Sequence, residues 1–488
     1  MATFLDLLHR TAPEPRDDEP PPAAADDLIR PDWTDLGNAR RLIVLHGRDL
    51  RFCRELGGWF VWDGRRWAHD RTGRVEQLAK DTVRATRKAG FQIKDDENNT
   101  RKEFLLFATR SQSEAKLRAM TNLARTEPEV AITSDQLDTH PWLLNVANGT
   151  LDLRTGTLRP FRRGDLLTKL APIEYDPDAH SDVFERFLDQ LAGRDGDLRT
   201  YLQRAVGYSL TGTTSEEALF LLVGPGGSGK STFVEAIRAT LGDYGMTADF
   251  ETFLKRPSNG GPRNDIARLN GARLVIACEV DEGKALAQGV VKALTGGDTV
   301  TARKLYHEAF EFKPQFKLWL VANDAPEVNG SDTGMFRRIH RIPCTHALRV
   351  EDQNPAIKAK LQDIQATGPA ILKWAVDGCL AWRREGRLHP PAAVVRATQA
   401  YQAEMDPLTQ FIADRCELGE NGIVSSAELS DEYASWAEQT GARAASSKQM
   451  AVALRARGCT PSKITRGLYK GHACWRGIGL KGSAGVRL

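Results

Sequence analysis

The residues that could do chemistry lie near the middle of the chain. Gly224, Pro225, Gly226, Gly227, Ser228, Gly229, Lys230 and Ser231 fit GxxxxGK[ST] in full, and Thr232 follows them. Glycines in such a run let backbone N–H groups curl around phosphates at a helix N-terminus. Lys230 can reach the β- and γ-phosphates of a nucleotide, and the Ser231 hydroxyl can ligate Mg²⁺. ATP and Mg²⁺ are therefore the expected ligands. The cradle requires a strand before it and a helix after it; residues 219–223 (LFLLV) are an apolar run, and the pattern over 230–241 is helical.

Two more strand tips follow. ARLVIACE, residues 272–279, ends on Glu279, whose carboxylate can order Mg²⁺ or polarise an attacking water. Asp281 would share a strand face with Glu279 and is a second metal candidate, with Glu282 as the alternative. KLWLVAND ends on Asn323, whose amide can orient water toward a γ-phosphate. Alone, either tip reads as a surface turn; after a phosphate loop, two together point to an active site. DTGMFRRIHRIP then places Arg337 and Arg338 at the end of a short helix, where an arginine can be supplied to a neighbouring subunit's γ-phosphate.

The elements that must position these groups alternate: strand 219–223, helix 230–241, strand 273–279, helix 286–294 and strand 317–322. That alternation predicts an α/β domain on a mainly parallel sheet. Upstream, the pattern gives an α+β region over 33–180. A helix capped by Thr34 precedes WFVWDGRRW, which reads as a hairpin turning at Asp63-Gly64. Helices are expected over 75–89 and 101–125, and strands turn near Thr155-Gly156. Trp59, Trp62 and Trp67 could stack on bases, although alternation along a hairpin makes core or cross-strand pairing the default. Helices over 184–191 and 198–209 lead into the α/β domain, residues 181–345. A helical segment follows over 346–407. Residues 408–488, with helices at 426–440 and 447–457 and a ring- and glycine-rich hairpin at 464–480, suggest a winged helix-turn-helix.

Composition narrows the partners. The chain has 488 residues, 41% hydrophobic and 27% charged, as in soluble globular proteins. No window approaches 18 uninterrupted apolar residues, so no membrane helix is expected, and MATFLDLLHR lacks the features of a signal peptide. Phe4, Leu5, Leu7 and Leu8 could form a docking helix, with fraying as the alternative; residues 11–32, rich in Pro, Ala and acid, read as a disordered linker. Seven scattered cysteines without a CxxC pair argue for buried thiols in a reducing cytoplasm. The formal net charge is only +3, yet residues 441–488 carry ten Lys or Arg and no Asp or Glu, with Tyr469, His472 and Trp475 interleaved. Such a one-sign segment fits a surface that neutralises phosphates.

Taken in order, GPGGSGKST, ARLVIACEVDEGKAL, VKALTGGDTVTARKLYHEAFEFKP, KLWLVANDAPEV and DTGMFRRIHRIP resemble the superfamily 3 AAA+ helicases of phage and plasmid primase–helicases, related to the poxvirus nucleoside triphosphatase. DLGNARRLIVLHG, WDGRRW and PWLLNVANGTLDLRTG resemble the domain that precedes this helicase, and GPAILKWAVDGCLAW resembles the helical segment after it. The resemblance implies an AAA+ motor and an ATP-dependent, ring-forming (hexameric) DNA helicase of 3′→5′ polarity. It would serve replication of a phage, prophage or plasmid in the cytoplasm of a bacterial host. It makes Lys230 and Ser231 the phosphate and Mg²⁺ residues, Glu279 the Walker B carboxylate and Asn323 the sensor. Arg338 becomes the trans-acting finger, with Arg337 second. Arg303, Lys304 and His307 fall on a hairpin that would grip single-stranded DNA in the ring's pore.

Two departures stand out. Cys278 occupies the place where many members carry a second Walker B acid. A primase–polymerase domain is also not recognisable, because the best D-x-D, Asp176-Pro-Asp178, reads as a turn; primer synthesis is not expected. The competing readings are a primase–helicase with an unrecognised priming site and an ATP-switched, origin-binding initiator. Expected partners are single-stranded and forked DNA, copies of the same chain, and a primase, polymerase or initiator.

Overall fold

The computed structural model describes residues 24–94, 97–255, 263–278, 284–303, 309–328, 332–347, 355–442, 446–463 and 471–481. Several expectations fall outside them: the docking helix at 4–8, the linker up to 23, and Glu279, Asp281, Glu282, Lys304 and His307. Arg443, Arg466, Tyr469, Lys470 and Arg487 of the basic segment also lie outside the described residues. The chain forms two units. One comprises residues up to 139 together with 161–169; the other comprises 140–160 and everything from 170 onward.

In the first unit a four-stranded sheet, built from Trp67–His69, Gly58–Trp62, Leu50–Cys53 and Ala131–Ile132 in that order, packs with helices Asp35–His46, Arg74–Gly90, Thr100–Arg110 and Glu114–Ala124. The expected hairpin turns at Asp63-Gly64. There Asp63 Oδ1 accepts hydrogen bonds from the Arg65 and Arg66 amides, and Gly64 has φ +96°. Its aromatics are structural: Trp59 and Trp67 are buried, and the Trp67 indole donates to the Arg163 carbonyl at 2.9 Å. Base stacking is thereby ruled out for those two rings. The single helix expected over 101–125 is broken at residues 111–113 into two. The expected linker up to 32 is corrected as well. Residues Ala25–Ile29 are helical and Leu28 is buried, because the Arg41 guanidinium donates to the carbonyls of Leu28, Pro31 and Asp32.

The second unit holds a parallel five-stranded sheet. Its strands, in chain order, are β1 Leu219–Val223, β2 Gly245–Thr247, β3 Leu274–Cys278, β4 Lys317–Ala322 and β5 Ile339–Pro343. They lie side by side as β5-β1-β4-β3-β2. Every residue of β1 and β4 is buried, which is why both read as unbroken apolar runs. On one face Phe220 stacks on Trp319 with ring centroids 4.5 Å apart, above Phe233 of helix α1, Lys230–Leu241. Fully burying such a ring contributes roughly 2–3 kcal/mol.

The hairpin of residues 143–159, expected with the first region, belongs to this second unit. Leu144, Val146, Leu151 and Leu153 sit in its core with Phe184 and Leu188 of the Asp182–Leu191 helix. At the opposite end from the Gly224–Gly229 loop, two buried cations close the sheet. Arg273 donates to the Leu210 carbonyl at 2.7 Å, and the Lys317 ammonium donates to the carbonyls of Thr211, Thr213 and Gln315. They satisfy the open carbonyl end of the Gly196–Leu210 helix. Burial drives the Lys317 ammonium well below its ordinary lysine value.

His340 on β5 is held neutral by the same effect. It accepts a hydrogen bond from the Tyr201 hydroxyl at 2.5 Å, and burial lowers its pKa to about 4. Between pH 6.5 and about 4 the unfolded chain therefore binds more protons than the folded one. Stabilisation is complete above pH 6.5 and falls with pH through that window, by on the order of 3 kcal/mol. His340→Gln should flatten the apparent melting temperature between pH 6.5 and 4.5 relative to the parent. Parallel curves for the two proteins would remove His340 as the cause.

The final section has its own core, in which Phe411, Tyr433, Trp436, Leu454, Trp475 and Ile478 meet. Helices Pro407–Arg415, Ser426–Thr440 and Ser447–Ala456 surround an antiparallel sheet ordered Cys416–Ser425, Ala473–Leu480, Thr460–Lys463. No helix among the described residues is long and apolar enough to cross a membrane. Six of the seven cysteine side chains are buried, and burial pushes the thiols of Cys344, Cys379 and Cys416 up to about 12.

Candidate nucleotide site

Strand register assembles the site. Parallel pairing sets Val223 opposite both Ala322 of β4 and Pro343 of β5, so Gly224, Asn323 and Cys344 leave the sheet side by side. Cys278, the last residue of β3, pairs with Val321, so β3 ends at the same edge. This carboxyl end of a parallel sheet is where α/β folds take ligands.

The glycine-rich loop runs from Gly224 to Gly229 between β1 and α1. A Cβ on Gly224 would stand 2.0 Å from the Cys344 carbonyl oxygen, and Gly229 has φ +88° with the Phe187 ring 3.0 Å from where its Cβ would be. Both positions exclude larger side chains, one by close backbone approach and one by a left-handed turn. Pro225, Gly226 and Gly227 are exposed, whereas Ser228 is buried.

Lys230 opens α1 and is buried. Its ammonium donates to the carbonyls of Gly224 at 2.6 Å and Pro225 at 2.9 Å, to Ser228 Oγ at 3.2 Å and to Asn323 Oδ1 at 3.3 Å. None of these acceptors is a carboxylate, so burial lowers the lysine's pKa. A cation held by neutral oxygens gains most from an arriving anion, and the helix N-terminus adds its positive end. Ser231 is exposed on the next residue, with Thr232 beside it. The cradle thus fits a nucleotide triphosphate, with the Ser231 hydroxyl as a donor to a cation. Among the described residues no three His, Cys, Asp or Glu side chains converge as a metal site. Glu279 and Asp281, the expected carboxylates, lie outside the described residues.

The two arginines differ sharply. Arg338 is buried; it donates to the Gly334 carbonyl at 2.7 Å and pairs with Glu217 at 2.6 Å. Arg337 also pairs with Glu217, at 2.8 Å, yet its side chain is 64% exposed. It rims an apolar cavity of about 310 Å³ lined by Phe336, Ile339, Val394 and Val395. Sequence reasoning missed Glu217, which adopts φ +51° to reach both arginines, and the Cys344 carbonyl that backs Gly224. Neither has a signature, because both act through tertiary position.

Farther along, strands Val300–Arg303 and Ala309–Phe312 pair antiparallel, with Arg303 exposed at the end of the first. The Asp176-Pro-Asp178 segment is a turn, in which Asp176 Oδ1 accepts the Asp178 amide at 2.9 Å.

Comparison with known proteins gives a consistent picture. Residues 39–193 match the family described as "D5 N terminal like", and residues 222–338 match a family of unknown function. "Putative helicase L207/L206" of Acanthamoeba polyphaga mimivirus is 32% identical over 305 residues, covering 57% of this chain and 31% of that protein. "Putative helicase 022R" of Frog virus 3 (isolate Goorha) is 24% identical over 359 residues, covering 57% and 37% respectively. The chain spans about a third of the length of these curated relatives. An apo structure of the NrS-1 C terminal region aligns over 88% of this chain and 96% of that one, at 11% identity and TM-score 0.47. The chain is therefore similar, over more than half its length, to viral proteins named as helicases, and carries a D5 N terminal like region ahead of its parallel sheet.

Proposed function

We propose that this protein is an ATP-dependent DNA helicase whose motor is an AAA+ P-loop domain of superfamily 3 type. The reading rests on one observation above the others: Lys230 is buried in a glycine cradle and contacts Asn323 from the neighbouring strand. A phosphate loop joined to a polar strand tip is the arrangement that binds a γ-phosphate and positions water beside it. In hydrolysis the water oxygen bonds to the γ-phosphorus as the bond to the β–γ bridging oxygen breaks, giving ADP and phosphate. Lys230 neutralises charge on the phosphate oxygens, Asn323 orients the water, and Glu279 accepts its proton. Ser231 with Asp281 would hold Mg²⁺, which when bound would further neutralise that charge.

The exposed Arg337 beside an apolar cavity supports self-association, in which each subunit completes its neighbour's site. The Val300–Arg303 and Ala309–Phe312 hairpin supports a DNA-gripping role, with Arg303, Lys304 and His307 on phosphates. The helix and strand order of residues 407–481 supports a winged helix that binds DNA. Purified protein should hydrolyse ATP, faster with single-stranded DNA, and should separate a forked duplex with 3′→5′ polarity. Hydrolysis indifferent to DNA, together with no strand separation, would sink this reading.

A further inference from the structure

The Ser447–Ala456 helix has a composition that phosphate binding alone does not account for. Its inward face holds Met450 and Leu454 in the core. The outward face carries Lys448, Val452 and Arg455 at positions i, i+4 and i+7, with Gln449 beside them, all exposed. Val452 is 61% exposed and sits at the centre of that face. A helix that only neutralised phosphates would place its cations there. This one flanks an aliphatic group and an amide with two cations instead.

The surroundings are polarised. Residues 408–440 contain seven acids and one base, whereas residues 441–488 contain ten bases and no acid. Arg457 is tied to Asp406 and Thr409 within the fold. Lys448, Arg455, Lys463 and Arg476 are exposed, and no carboxylate pairs with them among the described residues. The occupant of this face must therefore be a polyanion that also offers apolar contact. Duplex DNA does so in the major groove, through thymine methyl groups and base edges.

We propose that the Ser447–Ala456 helix reads base sequence in the major groove of duplex DNA. Val452 packs on a thymine methyl, and the Gln449 amide donates to an adjacent base-edge acceptor. Lys448 and Arg455 hold the flanking phosphates. Gln449 Oε1 accepts from the Ser446 amide at 2.9 Å in a capping box, which fixes the side chain while its NH₂ keeps donors to give. This assignment rests on the winged-helix reading of residues 407–481 and is independent of ATP hydrolysis.

The test uses the full chain. Selection from a random duplex pool at about 150 mM salt yields a site, and fluorescence anisotropy then compares that site with a scrambled duplex. The enriched site should bind about tenfold or more tighter than the scrambled one. Val452→Ala and Gln449→Glu should each cut that ratio about tenfold. Their melting temperatures should hold, because the carboxylate introduced by Gln449→Glu keeps the capping acceptor and Val452 lies outside the core. Lys448→Ala with Arg455→Ala should weaken both duplexes equally and lower the salt slope of log K by about two. Failure to enrich any site, or a ratio that survives in both Val452→Ala and Gln449→Glu, overturns the proposal. So does a change in oligomer mass in those variants with duplex discrimination intact, which would give the face to a protein partner. Single-strand-stimulated ATPase should be unchanged in Val452→Ala, so loss of the motor reading and loss of this one are separately visible.

Discussion

Lys230→Ala is expected to reduce ATP hydrolysis by at least about 10²–10³-fold without unfolding the protein. The ammonium sits inside the glycine-rich loop, where it contacts two loop carbonyls, Ser228 and Asn323. Removing it deletes the charge proposed to meet the phosphates and the link between the loop and Asn323 at the end of β4. The substitution should cost little in stability, because the lost group is a desolvated cation whose contacts here are all to neutral oxygens. Two readouts separate the effects. ATP should raise the melting temperature of the parent and not of the variant, since only a state that binds ligand is stabilised by it. Phosphate release should fall while the unliganded melting temperatures agree. Turnover within a few-fold of the parent would remove Lys230 from the chemistry.

How much of this was legible in the sequence depends on whether a residue acts locally. The glycine-rich turn between β1 and α1 was, because an apolar run, clustered glycines and a helical period mark strand, turn and helix in order. β1 and β4 were, because strands buried on both faces read as near-continuous apolar runs. The three-residue β2 was missed because so short a run carries no period. β5 was missed because Ile339 and Ile342 are buried three apart, like one face of a helix, with His340 and Arg341 half-buried between them. The Cys416–Ser425 strand, CELGENGIVS, is rich in acid and glycine; its antiparallel partner holds it around an irregularity between Leu418 and Ile423. The reverse error occurred over 101–125, where an apolar period ran through a break at 111–113 and fused two helices into one.

Arg337 and Arg338 show the same limit, for sequence favoured Arg338 as the trans-acting finger. Two adjacent arginines are equivalent in a string of letters; burial distinguishes them. Arg338 is buried and anchored to Gly334 and Glu217 of its own chain, so reaching a neighbour would require breaking both contacts. Arg337 shares Glu217 but is mostly in solvent, where an ion pair is weak and readily exchanged for a phosphate. We therefore expect the two alanine variants to fail in different ways. Arg338→Ala removes the buried partner of Glu217, which keeps only the exposed Arg337, and the bond to the Gly334 carbonyl. It should lower stability by about 2–4 kcal/mol, with turnover falling as the melting temperature does. Arg337→Ala should keep the parent's melting temperature and nucleotide binding, yet lose about 10³-fold in turnover. Mixing supplies the decisive measurement. A Lys230→Ala subunit cannot hydrolyse ATP but still presents Arg337, so adding it to Arg337→Ala protein should restore hydrolysis at the interfaces they share. No recovery above the sum of the separate proteins, or parent-like turnover by Arg337→Ala alone, would exclude Arg337 as a group supplied across a subunit boundary.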